Sequence, residues 1–343
     1  MAYKFNEIKL DKGMYSERGK SFTQTLESLD PSENYKGTAY EGMDAFQRQL
    51  KRFNIKVKGA GSDCVEKFFS TSESSVLFPE YVARSVKAGT EENNILPSIV
   101  ASVTKIDGMD YRSIYSAATD DDKALSDVEE GAEIPTTEIK SASNLVSLHK
   151  RGRMLVASYE AIRFQRLDLF SVMLKQIGNH IASMHLSDAI SVITAGDGNN
   201  NAADIYSIGD APIGGTAGNL SYAEMLAFWN EFDGYNLNTI LAAPNVMMKI
   251  LSCPEFQNPL TGLNFAGTGE PGSPMGAKLI RCPKVAKDTL IGLDKNYALE
   301  MVTAGDISVE YDRLIDKQLE RAAITSISGF AKIYKDASKV LLI

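Results

Sequence analysis

An α+β fold is what this sequence predicts, and three observations predict it. Leu167, Phe170, Leu174, Ile177, Ile181 and Met184 recur at three- and four-residue spacing, and Leu186, Ala189, Ile190 and Ile193 prolong that stripe. From Lys278 to the end, short alternating runs replace the helical period. Between them and a broken, polar N-terminal stretch lies an excursion that is first acidic and then basic. The long helix and the C-terminal antiparallel runs occupy separate stretches, with a mixed helix-and-strand segment between them, which fits an α+β fold.

Residues 1–75 carry turn signals at Asp30-Pro31, Lys36-Gly37 and Gly59-Ala60-Gly61. One amphipathic piece, 43–55, sets Phe46, Leu50 and Phe53 at helical spacing, with Arg48, Lys51 and Arg52 elsewhere on its surface. This reads as an extended arm carrying one helix, without the apolar density for a core. Residues 80–88 read as a short helix, and 99–105 and 110–115 as strands. The excursion follows. Asp120, Asp121, Asp122, Asp127, Glu129, Glu130 and Glu133 come first, then His149, Lys150, Arg151 and Arg153. Flanking alternation makes it a long two-stranded hairpin, marginal alone in water and in need of a surface to lie on.

The apolar stripe over 167–193 predicts a helix about 40 Å long. Asp168 suits its N-terminal dipole, and Gly196-Asp197-Gly198 supplies the stop. Ser221 and Glu224 form a capping box before Leu226, Trp229 and Phe232. Residues 239–243 read as a buried strand, Pro244 opens a helix through Leu251, and 254–276 read as Gly- and Pro-rich loop. The runs 290–293, 298–302, 307–311, 321–328, 330–334 and 340–343 are expected to form antiparallel sheet.

With 343 residues, 44% hydrophobic and 23% charged, the chain can bury a sizeable core, which excludes a disordered or disulfide-stapled protein. No run approaches the roughly 18 apolar residues of a membrane span, and the first residues lack the apolar centre of a secretory signal. Forty-four acidic against 36 basic residues leave a net charge of −8, the wrong balance for gripping nucleic acid directly. Cys64, Cys253 and Cys282 are odd in number and scattered, so they read as reduced thiols.

Each motif with chemical potential fails on its context. Gly267, Gly269 and Gly272 match the dinucleotide fingerprint, but Pro271 and Pro274 interrupt it and a strand follows where a helix is required. Gly13 to Gly19-Lys20-Ser21 has five intervening residues where a phosphate loop has four. Asp197, Asn199 and Asn201 begin like a calcium loop, yet Ala202 and Ile208 stand where Gly and Glu are needed. His180 and His185 diverge by about 140° around a helix, and with His149 they form no triad. Ser102 and Lys105 match a penicillin-binding nucleophile pattern but lie in strand-like sequence, where residues three apart face opposite ways. The reading is therefore a protein without catalytic, cofactor-binding or metal-binding residues.

The order of elements, with Phe78-Pro79-Glu80-Tyr81-Val82, Glu130-Gly131-Ala132-Glu133-Ile134-Pro135, Val156-Ala157-Ser158-Tyr159-Glu160, Ala195-Gly196-Asp197-Gly198-Asn199, Ile240-Leu241-Ala242-Ala243-Pro244 and Met275-Gly276-Ala277-Lys278-Leu279, resembles the major capsid proteins of tailed bacteriophages, the Hong Kong 97-type fold. The resemblance covers about 76–343. It implies an N-terminal arm (1–75), a first P-domain part (76–106), an extended E-loop (107–152), a P-domain spine helix (153–199), an A-domain (200–300) and a C-terminal P-domain sheet (301–343). It also implies a virion protein, assembled in the bacterial host cytoplasm into an icosahedral shell of hexamers and pentamers around double-stranded DNA. A portal and decoration proteins are its implied partners, with no membrane and no sequence-specific DNA binding.

Some members cross-link an E-loop Lys to a P-domain Asn; no Asn follows Asn296, so that chemistry is not expected here. A separate scaffolding protein, or none, is expected in place of a cleaved N-terminal one. Intersubunit contacts are expected from Asp120, Asp121, Asp122, Glu130 and Glu133 against Lys150, Arg151 and Arg153, and from Phe46, Leu50 and Phe53, which need burial. As a cation site the acidic run is the weaker reading, a solvated charge run being the commoner explanation. The alternative to its intersubunit role is a tip that keeps the loop soluble. An encapsulin-type compartment shares the fold implied, and a soluble hydrolase or nucleotide-binding enzyme is the alternative from another class.

Overall fold

The computed structural model describes residues 4–16, 20–92, 94–108, 110–115, 140, 141, 144–263, 265–305, 307–314 and 316–343. Its helices are α1 (Phe22–Leu29), α2 (Ala45–Arg52), α3 (Ser72–Ser75), α4 (Leu77–Glu92), α5 (Tyr159–Phe164), α6 (Leu167–Ala195), α7 (Tyr222–Asn230), α8 (Pro244–Leu251), α9 (Pro254–Gln257) and α10 (Phe265–Thr268). Its strands are β1 (Ser102–Ile106), β2 (Ile114–Tyr115), β3 (Lys140–Ser141), β4 (His149–Ser158), β5 (Asp204–Ser207), β6 (Thr239–Ala242), β7 (Lys278–Arg281), β8 (Thr289–Leu293), β9 (Leu299–Ala304), β10 (Ser308–Leu314), β11 (Leu319–Lys332) and β12 (Ser338–Leu342). Two units divide them. The first takes Met1–Asn94, Lys150–Ala182 and Asp306–Ser326; the second takes Ile95–His149, Ser183–Gly305 and Ile327–Ile343.

In the first unit the N-terminal helices are short and depend on their caps. Ser21 with Gln24 caps α1, and Asp44 with Gln47 caps α2; each pair satisfies backbone groups at both positions. Phe22, Leu26, Phe46 and Leu50 then join Phe68, Leu77, Tyr81 and Val82 in one core, which Leu167 and Leu174 of α6 complete. The expectation that residues 1–75 lack a core is therefore corrected. The apolar residues are sparse along the sequence but converge in space, with Phe22, Phe46 and Phe68 among aliphatic side chains.

Arg48, expected on the surface, is fully buried. Its Nε donates to Asp30 Oδ2 at 2.7 Å, one terminal nitrogen donates to the Asp30 carbonyl and the other to Ser32 Oγ. Tyr35 donates to the other Asp30 oxygen at 2.6 Å, and the guanidinium lies 4.3 Å from the Tyr35 ring centroid. Burial and this bond to Asp30 push the Tyr35 hydroxyl up to about 12. A buried charge pair is tolerable only when so completely bonded.

The helix expected at 80–88 extends over 77–92 and crosses α6 at very close range. A Cβ on Gly89 would strike the backbone of Lys175, and one on Gly178 would strike the Val86 carbonyl. β10 pairs antiparallel with the start of β11, Tyr311 opposite Ala322. β4 also pairs with β11, close enough that Gly152 has no room for a side chain beside Ile324 and Thr325.

In the second unit a five-stranded sheet has the order β5-β12-β8-β6-β7. Its core gathers Ile240, Leu241, Ile291 and Leu341 with Phe228 of α7 and Ile250 of α8. The end of β11 pairs with β9, Phe330 opposite Met301, and β1 pairs with β9, Thr104 opposite Val302. The expectation of one antiparallel sheet needs correction. The C-terminal strands do run antiparallel in the pairs β8·β12, β9·β11 and β10·β11, but they divide between two sheets. They also accept parallel partners: β1 on β9 and β5 on β12. Parallel pairing needs a long crossover, and such partners come from distant sequence that local patterning does not reveal. The runs expected at 321–328 and 330–334 are one strand, β11.

The long helix appears as expected, 29 residues ending before Gly196 at φ 83°. The predicted capping box of α7 is present, as are β6 and α8. The predicted loop 254–276 holds two single-turn helices, α9 and α10.

Candidate assembly surface

The root of the excursion is built in the second unit around one carboxylate. Glu300 on β9 is buried, and its Oε1 accepts from Thr104 Oγ1 at 2.5 Å and from the Tyr111 hydroxyl at 2.8 Å. Its Oε2 accepts from Ser113 Oγ. Burial and the bond to Glu300 raise the Tyr111 hydroxyl above its ordinary range. The returning limb is tied to the same place: the Val146 amide donates to the Tyr111 carbonyl, and Asn144 Nδ2 donates to the Gly198 carbonyl. Val146, Val302 and Ala331 form a small apolar cluster, with Tyr111 and Leu148 against it. β2 and β3 then pair antiparallel, Ile114 opposite Ser141, as a hairpin base requires.

Asp120, Asp121, Asp122, Glu130 and Glu133 lie outside the described residues. Lys150 and Arg153 are exposed on β4, while Arg151 is half-buried. The two-residue strand period puts Arg151 and Arg153 on one face and Lys150 on the other, so the basic trio is not a single patch. Phe46 and Leu50 are 3% and 6% exposed inside the first unit, and Phe53 packs beside them. Their need for burial is met within the chain.

Patterning missed a different set. Met154 and Val156 on β4 are exposed, as are Phe164 at the end of α5 and Leu169, Val172 and Met173 on α6, at 77%, 61%, 59% and 52% for the last four. Leu169, Val172 and Met173 share one helix face, opposite the stripe formed by Leu167, Phe170 and Leu174. The signal was present, because the first turns of α6 carry apolar residues all round, but the stronger stripe concealed the second face. Exposed apolar clusters of this kind mark contact surfaces.

The motifs rejected from sequence fall as their context required. Ser102 and Lys105 lie on β1. Asp197, Asn199 and Asn201 form a polar turn in which Asp197 accepts from the Asn199 side chain and from the Lys332 amide. The structure does bring His149, Asp188 and Ser191 to one open cleft of about 220 Å³ in the second unit, an association that sequence spacing did not show. Among the described residues, no group of three or more His, Cys, Asp or Glu side chains is placed to hold a metal ion. Nor, among them, is any helix long and apolar enough to cross a membrane.

The model of a family described as phage capsid protein matches residues 142–329. No curated protein matches the chain. Among solved structures, the capsid of a native GTA particle is similar at a TM-score of 0.52 and 14% identity, over 76% of this chain and 90% of that one. The mature capsid of bacteriophage PhiM1 gives 0.51 and 13%, over 73% and 87%. A virus-like particle from Pyrococcus furiosus gives 0.50 and 12%, over 77% and 99%. At such identities the likeness is one of fold.

Proposed function

Since this chain belongs to the phage capsid protein family, with a Hong Kong 97-type α+β fold, we infer that it is a major capsid protein whose copies build an icosahedral shell. The family match over 142–329 is the observation that carries this conclusion. The role is structural: the protein works by making contacts with copies of itself. Hexamers and pentamers are its building units in this reading. Double-stranded DNA is the cargo, held without base recognition. The acidic balance suits a container that must not condense onto its contents. A separate scaffolding protein, or none, directs assembly in the host cytoplasm, and a portal and decoration proteins complete the particle.

Negative-stain imaging of the expressed protein tests this, with any scaffolding partner co-expressed. Hollow closed shells are expected. A monomer at high concentration under both conditions overturns it. Nuclease-protected DNA inside particles from infected cells is expected, whereas a protein cargo would shift the reading to an encapsulin-type compartment.

The excursion at 107–152 acts in this reading as an E-loop lying on the next subunit. Its acidic residues Asp120, Asp121, Asp122, Glu130 and Glu133 meet the exposed Lys150 and Arg153, with Arg151 beside them. The exposure of Lys150 and Arg153 supports it. Single exposed pairs contribute only about 0.2–1 kcal/mol, so the effect is on register and rate. Reversing Asp120, Asp121 and Asp122 to Lys should slow assembly and make it salt-sensitive, with partial rescue by Lys150→Glu and Arg151→Glu. Parental assembly of the triple variant at low salt would leave the acidic run a solubilising tip.

A further inference from the structure

We propose that the exposed face of α6 at Leu169, Val172 and Met173 is a two-fold self-contact, on which the same face of a second copy packs antiparallel. The proposal rests on the shell reading above. A closed icosahedral shell of one subunit type requires two-fold contacts as well as rings, and a two-fold contact must be self-complementary: what one copy presents, the other must accept.

This face has that property. Its apolar centre is Val172, with Leu169 one turn before and Met173 beside it, all more than half exposed. Asp168 lies four residues before Val172 and Lys175 three after, both on the same flank of the helix. When two such helices pack antiparallel about an axis near Val172, their like flanks lie side by side. Asp168 of one copy then comes opposite Lys175 of the other, twice. A parallel two-fold pair would carry the two charged flanks to opposite sides of the contact, where Asp168 meets no Lys175. Among the described residues Lys175 pairs with Glu92 at 3.6 Å, and 42% of its side chain is exposed, so it can take part.

The opposite side of α6 is already committed. There Gly178 receives the backbone of α4, and Leu167 and Leu174 enter the core. The exposed face therefore has room for a helix and no partner in its own subunit among the described residues. Side chains of these types, from both copies, form the apolar centre that a standard interface places inside a polar rim.

The test is a cysteine at Val172 in a chain carrying Cys64→Ser, Cys253 and Cys282 being buried. Assembled shells are treated with a short bis-maleimide and digested for mass spectrometry. The expected result is a 172–172 linked dimer, absent when the cysteine is at Lys287, which is 84% exposed on the second unit. Val172→Asp should retain parental circular dichroism and thermal unfolding, because the residue is exposed, yet lose at least tenfold in shell yield. Asp168→Lys should lower the yield and the double variant Asp168→Lys, Lys175→Asp restore it.

Shells that form without a 172–172 link overturn the proposal and leave the capsid reading intact. So does linkage of residue 172 to a cysteine of a scaffolding protein. Parental protein that never forms shells overturns the capsid reading itself.

Discussion

Lys332 is only 2% exposed, and its ammonium donates to the Ile193 carbonyl in the last turn of α6. The position suits a helix C-terminus, but burial lowers its proton affinity from the ordinary lysine value to about 8. In the unfolded chain it titrates near 10.5. Below pH 8 the group is charged in both states, and the full burial cost, about 3 kcal/mol, opposes folding. Between pH 8 and 10.5 the unfolded state binds more protons, so this contribution to stability rises with pH. Urea unfolding at pH 7.5 and 9.5 should show that rise in the parent. Lys332→Met should lack it; equal slopes in both proteins would mean that Lys332 does not titrate as described.

Arg48 gives a second prediction at this scale. Arg48→Met leaves the Asp30 carboxylate buried beside Tyr35 without its cation, a loss of about 3–5 kcal/mol measurable by urea unfolding. Arg48 was legible as a charge but not as a buried one, because Asp30 and Tyr35 lie outside its helix.

At the scale of elements, the α4–α6 crossing is the most restrictive feature. Gly178→Ala improves helix propensity by about 1 kcal/mol, yet its methyl group meets the Val86 carbonyl, where overpacking costs about 1–3 kcal/mol. Thermal unfolding should therefore show a net loss, although Ala is the better helix former. The hairpin root gives another prediction. Glu300→Gln replaces an oxygen acceptor with an amide donor, leaving at least one of Thr104, Tyr111 and Ser113 unsatisfied at about 1–3 kcal/mol. Hydrogen exchange at Tyr111 to Ser113 and at Val146 should quicken while the β6–β8 amides keep their protection. The extent of α6 could be read from its period and its glycine stop. Glu300 could not be read at all, since its three donors lie nearly two hundred residues away in sequence.

On the scale of the whole molecule, the N-terminal core changes what a truncation does. Deleting residues 1–42 removes Phe22, Leu26 and Asp30, so Phe46 and Leu50 lose their cover and Arg48 its counter-ion. The expected product is insoluble or unfolded, as judged by expression yield and circular dichroism. A soluble, folded subunit would show that the N-terminal residues are an appendage after all. The C-terminal strands were legible one by one, but their division between two sheets was not, because pairing partners are set by tertiary contacts that no local period reports.

Those pairings also impose a timetable on synthesis. β1 pairs with β9, and β5 pairs with β12, more than a hundred residues later in each case. At about 5–20 residues per second, β1 waits on the order of ten to forty seconds on the ribosome before its partner is made. β5 waits on the order of seven to twenty-six seconds at the same rate for β12, which lies in the interior of its sheet. Until β12 emerges the second unit lacks an interior strand, and the waiting β5 and β8 offer unpaired edges to other chains.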